Sequence, residues 1–402
     1  MASSLGRDGV FHLAAFAVIF AALLGVACER AVSSYPVKVV FAGKVVDTTV
    51  DSIYASCYLD YHRSDKQSGP KCDDLMRAMP APAPGVLPDR EMLRAISVSN
   101  SVDFAALYFV QAMLDVPRNR AAQQLFDREF SRFVRNDPAA WDWLRTRSRT
   151  YAFLFVPGWA PKPEPQNGTG LPVTRGALER LGFEIRLVDI AETATVDENA
   201  QLLAQEIRRY GGRGKRLVVA SVGSGGQSAA LALSKLLRPE ETRAVAAWVN
   251  AGGRLRGSVL ADAAQHSPAQ WLAKAAMTLL GGDFAGVEGL GTEASRARSA
   301  PQKLPPHVQV VNYLGVPLSG DVTERARSGY DELRPYGPND GFTLLADAIV
   351  PQGVTLIDLG RDHYLVDPRA EEKSLALAAT VLRQLAARGL ETATAERRGS
   401  AP

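Results

Sequence analysis

Leu217-Val218-Val219-Ala220-Ser221-Val222-Gly223-Ser224-Gly225-Gly226-Gln227-Ser228-Ala229 is a short apolar run, a glycine-rich turn and the start of an alanine- and leucine-rich helix. An apolar run this short and this sharply bounded reads as a buried strand. A turn that passes straight from strand to helix holds one side chain proud of the sheet, where a serine hydroxyl can attack an acyl carbon. The usual order is Gly-x-Ser-x-Gly, and here the glycines and serines are displaced from it. Two registers are open. In the first, Gly225-Gly226 match the paired glycines that follow a nucleophile. Ser221 then takes the first-glycine place and Gly223 the nucleophile place, which keeps the turn but deletes the hydroxyl; glycine adopts the strained positive φ of that place without penalty. In the second, Ser224 is the nucleophile because glycines flank it, with Val222 two residues earlier where a small side chain is normally required. Ser228 falls in the helix in either register.

Working outward, the apolar run at 151–156 and the stretches 183–188, 244–249, 308–314 and 355–359 read as further strands, and helical patterns at 174–181, 195–210 and 371–388 alternate with them. Thr195-Val196-Asp197-Glu198 is a capping box that opens the second of those helices. Strands alternating with helices across short links predict a mostly parallel sheet covered on both faces, an α/β fold. The rhythm breaks at 261–306. There the apolar stretch 270–280 would form a cap or lid over an acyl site, or one more packed helix.

Before this unit, 37–50 alternates as two strands joined at Ala42-Gly43, a loop runs on to the proline-rich stretch 80–85, and 89–147 turns helical. Its aromatics read as core rather than as a ligand cage. Asp137-Pro138 opens the last of these helices.

The chain has 402 residues and a net charge of +3 with no long basic run, which argues against nucleic acid as a partner. Arg7 precedes an apolar run from Val10 to Ala27 that ends in Gly25-Val26-Ala27-Cys28. This reads as a signal peptide over 1–27, with Cys28 as a candidate for lipidation; an uncleaved anchor is the alternative. The expected locations are the periplasm, cell envelope or exterior. In an oxidising compartment, Cys57 and Cys72 form the expected disulfide, stapling a polar, loop-rich segment at 62–74.

Hydrolysis by acyl transfer needs a nucleophile, a base, an acid that orients the base, and N–H donors for the oxyanion. His363 follows the last expected strand, in Leu359-Gly360-Arg361-Asp362-His363-Tyr364, and Asp340 stands upstream in Asn339-Asp340-Gly341. Asp321 competes with Asp340 for the acid role, and Asp362 reads as a loop cap.

With these residues the chain resembles the α/β-hydrolase superfamily, and within it bacterial lipase- and esterase-like proteins. Pro157-Gly158-Trp159 looks like the oxyanion loop, 250–258 like the turn after the next strand, and Asn339-Asp340-Gly341 with Asp362-His363 like the acid and base segments. The resemblance covers roughly 151–385. It implies an α/β-hydrolase domain over 151–389 with the insertion 261–306; the sequence pattern itself adds a packed strand-and-helix segment over 35–150 before it and a polar tail at 390–402 after it. It further implies a serine hydrolase of carboxylic esters, lipid-like ones included, with Ser224, Asp340 and His363 as catalytic residues. The backbone N–H groups near Trp159 and Gly225 would hold the oxyanion, and no metal or organic cofactor is implied. The alternative is an inactive member with Gly223 in the nucleophile place, serving as a binding or envelope-associated protein.

Overall fold

The computed structural model of the chain describes residues 34–63, 69–77, 86–158, 171–190, 194–266, 289–299 and 303–389. The expected signal segment with Cys28, Trp159, the stretch 270–280 and the tail 390–402 lie outside the described residues.

The described chain opens with an antiparallel hairpin of β1 (Tyr35–Phe41) and β2 (Lys44–Val50). Ala42 and Gly43 both have positive φ, 52° and 75°. A two-residue turn of that kind matches the twist of the flanking strands. Helices α1 (Ile53–Tyr61) and α2 (Pro70–Arg77) follow, and the disulfide Cys57–Cys72 joins them. The disulfide expected from the sequence is therefore present, and within the segment 62–74 expected to be loop-rich, residues 70–74 belong to α2. Helix α1 starts on Ser52, whose Oγ accepts the Ala55 N–H at 3.1 Å. It mixes buried and exposed aromatics with no clear stripe, and α2 spans only eight residues with Met76 its one buried side chain, so neither carries a readable period.

Four helices fill the next stretch: α3 (Arg90–Ser99), α4 (Val102–Asp115), α5 (Pro117–Val134) and α6 (Pro138–Arg147). Asp89 and Ser101 cap α3 and α4 by accepting N–H bonds at 2.8 and 3.1 Å. Proline stands in the first turn of α5 and of α6, where a missing N–H costs nothing.

The centre is a six-stranded, wholly parallel sheet of β3 (Tyr151–Val156), β4 (Glu184–Leu187), β5 (Arg216–Val222), β6 (Val245–Ala251), β7 (Gln309–Val316) and β8 (Val354–Leu359). Its strand order is β4-β3-β5-β6-β7-β8. The connecting helices are α7 (Pro172–Arg180), α8 (Val196–Gly211), α9 (Gly225–Leu231), α10 (Val259–His266), α11 (Thr292–Ser299), α12 (Glu324–Leu333) and α13 (Ala370–Ala387). One face of the sheet packs Phe153, Phe155 and Tyr313 against α5, α7 and α13. The other packs Leu154, Val219 and Trp248 against α8 and α9. Burial on both faces is why these strands read as unbroken apolar runs.

The free edge of β8 is covered by side chains rather than by another strand. Asn119 Oδ1 and Gln123 Oε1, one turn apart on α5, accept the Thr355 and Ile357 N–H groups at 2.9 and 2.8 Å. From the hairpin, Lys44 Nζ donates to the Ile357 carbonyl at 2.9 Å. An open edge invites pairing with another chain, and these amides close it. The 35–150 segment therefore supplies part of the sheet's hydrogen bonding as well as packing.

Candidate active site

The turn between β5 and α9 bears on the register that the sequence left open. Gly223 has φ +51°, while Ser224 has φ −64° and ψ −23°, already helical, and precedes α9. The next two positions allow nothing larger than glycine. A Cβ on Gly225 would fall 2.5 Å from the Pro157 carbonyl oxygen, and one on Gly226 would fall 2.8 Å from Asn250 Oδ1. The helix thus starts jammed between the ends of β3 and β6, with Gly223 at the apex of the turn. The Gly225 N–H belongs to the first turn of the helix, whose donors no intrahelical carbonyl can satisfy.

His363 and Asp340 meet across this apex. His363 Nδ1 lies 2.9 Å from Asp340 Oδ2, and the His363 N–H donates to the Asp340 carbonyl at 2.8 Å. The other carboxylate oxygen accepts the N–H groups of Phe342 and Thr343 at 2.9 and 2.7 Å. Asn339 Oδ1 in turn accepts the Gly341 N–H at 2.9 Å, which pins the loop that carries the acid. A histidine oriented through Nδ1 presents Nε2 for proton transfer. Among the described residues Nε2 has no hydrogen-bond partner. A Cβ built on Gly223 would sit 3.9 Å from both His363 Nε2 and Cε1, nearer than to any atom outside residues 222–224. Residue 223 therefore faces the imidazole.

The other candidates are placed elsewhere. Ser221 is fully buried, and its hydroxyl accepts the Trp248 Nε1–H bond at 2.8 Å. Ser228 Oγ donates to the Val196 carbonyl at 3.2 Å. Asp321, the rival acid, accepts the Leu318 N–H at 3.1 Å and holds the loop after β7. Asp362 accepts the Thr323 and Tyr364 N–H groups at 2.8 and 3.0 Å, which makes it a loop cap. Ser224 is buried beside the turn apex, one residue past it.

A parallel sheet with a sharp turn after β5, Asp340 between β7 and β8 and His363 after β8 brings these three positions to one sheet end, in the chain order expected for nucleophile, acid and base. The fold is that of the α/β-hydrolases. No protein-family model matches the chain, and no curated protein matches it by sequence. Solved structures of similar shape include the metagenomic carboxyl esterase MGS0156, 19% identical, covering 60% of this chain and 76% of that one with a TM-score of 0.49. The mature lipase BlEst2 of Bacillus licheniformis is 21% identical over 58% of this chain and 91% of its own, with a TM-score of 0.45. The lipase of Staphylococcus hyicus is 13% identical over 62% and 96%, with a TM-score of 0.43.

Three neighbours of the histidine carried no signal in the sequence. The Phe342 ring lies 4.8 Å from the His363 ring, and Tyr364 packs edge-on against both. The Arg254 N–H donates to the Gly223 carbonyl at 3.1 Å, tying the turn after β6 to the apex. In that same turn Gly252, at φ +54°, brings its backbone against the acid; a Cβ there would lie 3.5 Å from Asp340 Oδ2. Desolvation holds the Arg254 guanidinium below its ordinary pKa, against the opposing pull of Asp340 and Tyr364. An apolar cavity of about 90 Å³ also reaches this sheet end. Its lining includes Phe153, Phe155, Leu178 and Val249, together with Tyr364 and Leu365 from the histidine loop.

Proposed function

We propose that this protein uses an α/β-hydrolase site to recognise carboxylic-ester or carboxylic-acid ligands without forming an acyl-enzyme. One observation carries the reading: the residue facing His363 Nε2 is Gly223, in the left-handed conformation of the turn apex, so the base has no hydroxyl to deprotonate. The oriented Asp340–His363 pair and the apolar cavity beside it support an acyl-type ligand, because such sites are mostly apolar with a few fixed polar groups. The lipases and esterases that share its shape act on ligands of the same class. A working esterase that uses Ser224 is the second reading, favoured by the burial of that serine next to the apex. Export, with Cys28 lipidated or the signal segment simply removed, is part of the proposal, and the Cys57–Cys72 disulfide supports an oxidising compartment.

A fluorophosphonate probe tests the reading. The folded wild-type protein should remain unlabelled and leave p-nitrophenyl esters intact. Labelling of the wild type that disappears in Ser224→Ala would overturn it and establish the esterase.

A further inference from the structure

Arg254 differs from several paired arginines packed into this fold. Arg334 is paired with Asp51 at 3.1 Å and Arg361 with Asp367 at 2.7 Å, while Arg90 is paired with Asp347. No N–H of the Arg254 guanidinium meets an acceptor among the described residues, and its Nε is buried without a partner. Leaving a buried donor unpaired is costly, so such a group calls for an explanation. The one nearby carboxylate, Asp340, cannot supply it. Its two oxygens are committed to His363 and to the N–H groups of Phe342 and Thr343. The Phe342 ring lies 5.4 Å from the guanidinium carbon and covers one face of the group by a cation–π contact, which leaves the in-plane donors unused. The same ring touches His363, so the unused donors border the site.

We propose that Arg254 is the anchor of an anion subsite beside Gly223, and that it takes the carboxylate of a monoanionic ligand with an apolar body. A planar guanidinium edge matches a carboxylate with two parallel N–H bonds. The charge count selects the same class. Near the apex the described residues offer one unpaired cation with the Asp340 carboxylate beside it, enough to neutralise the single charge of a carboxylate but not both charges of a phosphate dianion. The Phe342 ring and the glycine apex border the ligand body. The proposal rests on the reading that site 223 receives ligand rather than an attacking hydroxyl, but its test does not depend on that reading.

Calorimetric titration of the full-length protein with hexanoate, methyl hexanoate and inorganic phosphate provides that test. Hexanoate should bind at least tenfold more tightly than methyl hexanoate or phosphate. Arg254→Gln should weaken hexanoate at least tenfold while leaving methyl hexanoate unchanged, and Arg254→Lys, which keeps the charge but not the fork, should fall between. Equal binding of hexanoate and its methyl ester to the wild type would overturn the proposal, and so would phosphate binding more tightly than hexanoate. Undiminished hexanoate binding by folded Arg254→Gln would do the same. If the glutamine variant does not fold, the comparison of acid with ester on the wild type still decides. Fluorophosphonate labelling of the wild type would sink the functional reading but leave this subsite standing.

Discussion

Replacing Gly223 with serine should create a hydrolase. The ideal Cβ at 223 meets nothing closer than His363 Nε2 and Cε1 at 3.9 Å, so the side chain enters without collision. An Oγ one bond beyond that Cβ can fall within the roughly 2.6–3.2 Å reach a general base requires. The backbone is already in the conformation of the apex, but a residue with a Cβ pays about 1–2 kcal/mol to hold positive φ. The variant should therefore be less stable by about that amount. In a tuned serine-protease triad, removing the nucleophile costs about 10⁶ in kcat. Here Asp340, His363 and the first-turn N–H groups are in place, and an untuned site that recovers even a thousandth of that factor gains about 10³. At about 1.4 kcal/mol per tenfold this is some 4 kcal/mol of transition-state stabilisation. The assay is hydrolysis of p-nitrophenyl esters alongside fluorophosphonate labelling, with Gly223→Ser/His363→Ala as the control that should lose both. A Gly223→Ser protein that melts cooperatively yet stays unlabelled and inactive would refute the assignment of residue 223 to the apex.

Asp103 should make stability depend on pH. It is fully buried, and desolvation, with Asp51 beside it, pushes its pKa from 3.8 up to about 7. The folded protein then keeps a proton that the unfolded chain has released. This contribution is complete below about 3.8 and is lost as pH rises toward about 7. The urea midpoint should fall between pH 5 and pH 8, and Asp103→Asn should lose that slope; equal slopes would disprove the point. Gln123→Ala should cost about 1–3 kcal/mol, because it leaves the Ile357 N–H buried without an acceptor. Hydrogen exchange at Ile357 should speed up in that variant and be restored in part by Gln123→Glu, which keeps an acceptor. Opening the Cys57–Cys72 disulfide, whose cysteines are 15 residues apart, should cost about 3 kcal/mol through the unfolded chain, as read by denaturant titration with and without reductant.

The parts of the molecule that the sequence makes legible are those set by local burial. The run 151–156 coincides with β3, and the other strands fall within a few residues of the stretches expected for them, because all but the edge strand β4 are largely buried on both faces. The Ala42-Gly43 turn and the Thr195–Glu198 capping box are legible for the same reason: their bonds close within a few residues. The register of the elbow is different. Both alignments satisfy the composition of 221–226, and what separates them is contact with residues far along the chain. Pro157 presses on Gly225, Asn250 on Gly226, and His363 faces Gly223. The choice of Asp340 over Asp321 has a similar basis, because each could cap a turn and only the folded loops show which one reaches the imidazole. The sequence gives no warning of Arg254, since an unpaired cation leaves no periodicity, and helices α1 and α2 are too short and too mixed in polarity to announce themselves.

An intact acid–histidine pair is by itself weak grounds for catalysis. His363 and Asp340 are joined twice, through Nδ1 to Oδ2 and through the His363 N–H to the Asp340 carbonyl, so the pair also fastens the loop after β8 to the loop that precedes it. That fastening would keep both residues in place whether or not any reaction occurs. A histidine kept for structure alone would be expected to commit both ring nitrogens or turn the second toward bulk solvent. His363 commits one, is only 9% exposed, and directs its Nε2 side at the apex of the turn. Phe342 packs on its ring, and the Arg254 guanidinium, unpaired among the described residues, lies over the ring of that phenylalanine. His363 faces the place where a side chain at 223 would stand, which is the arrangement the proposed reading expects of a site that receives a polar ligand.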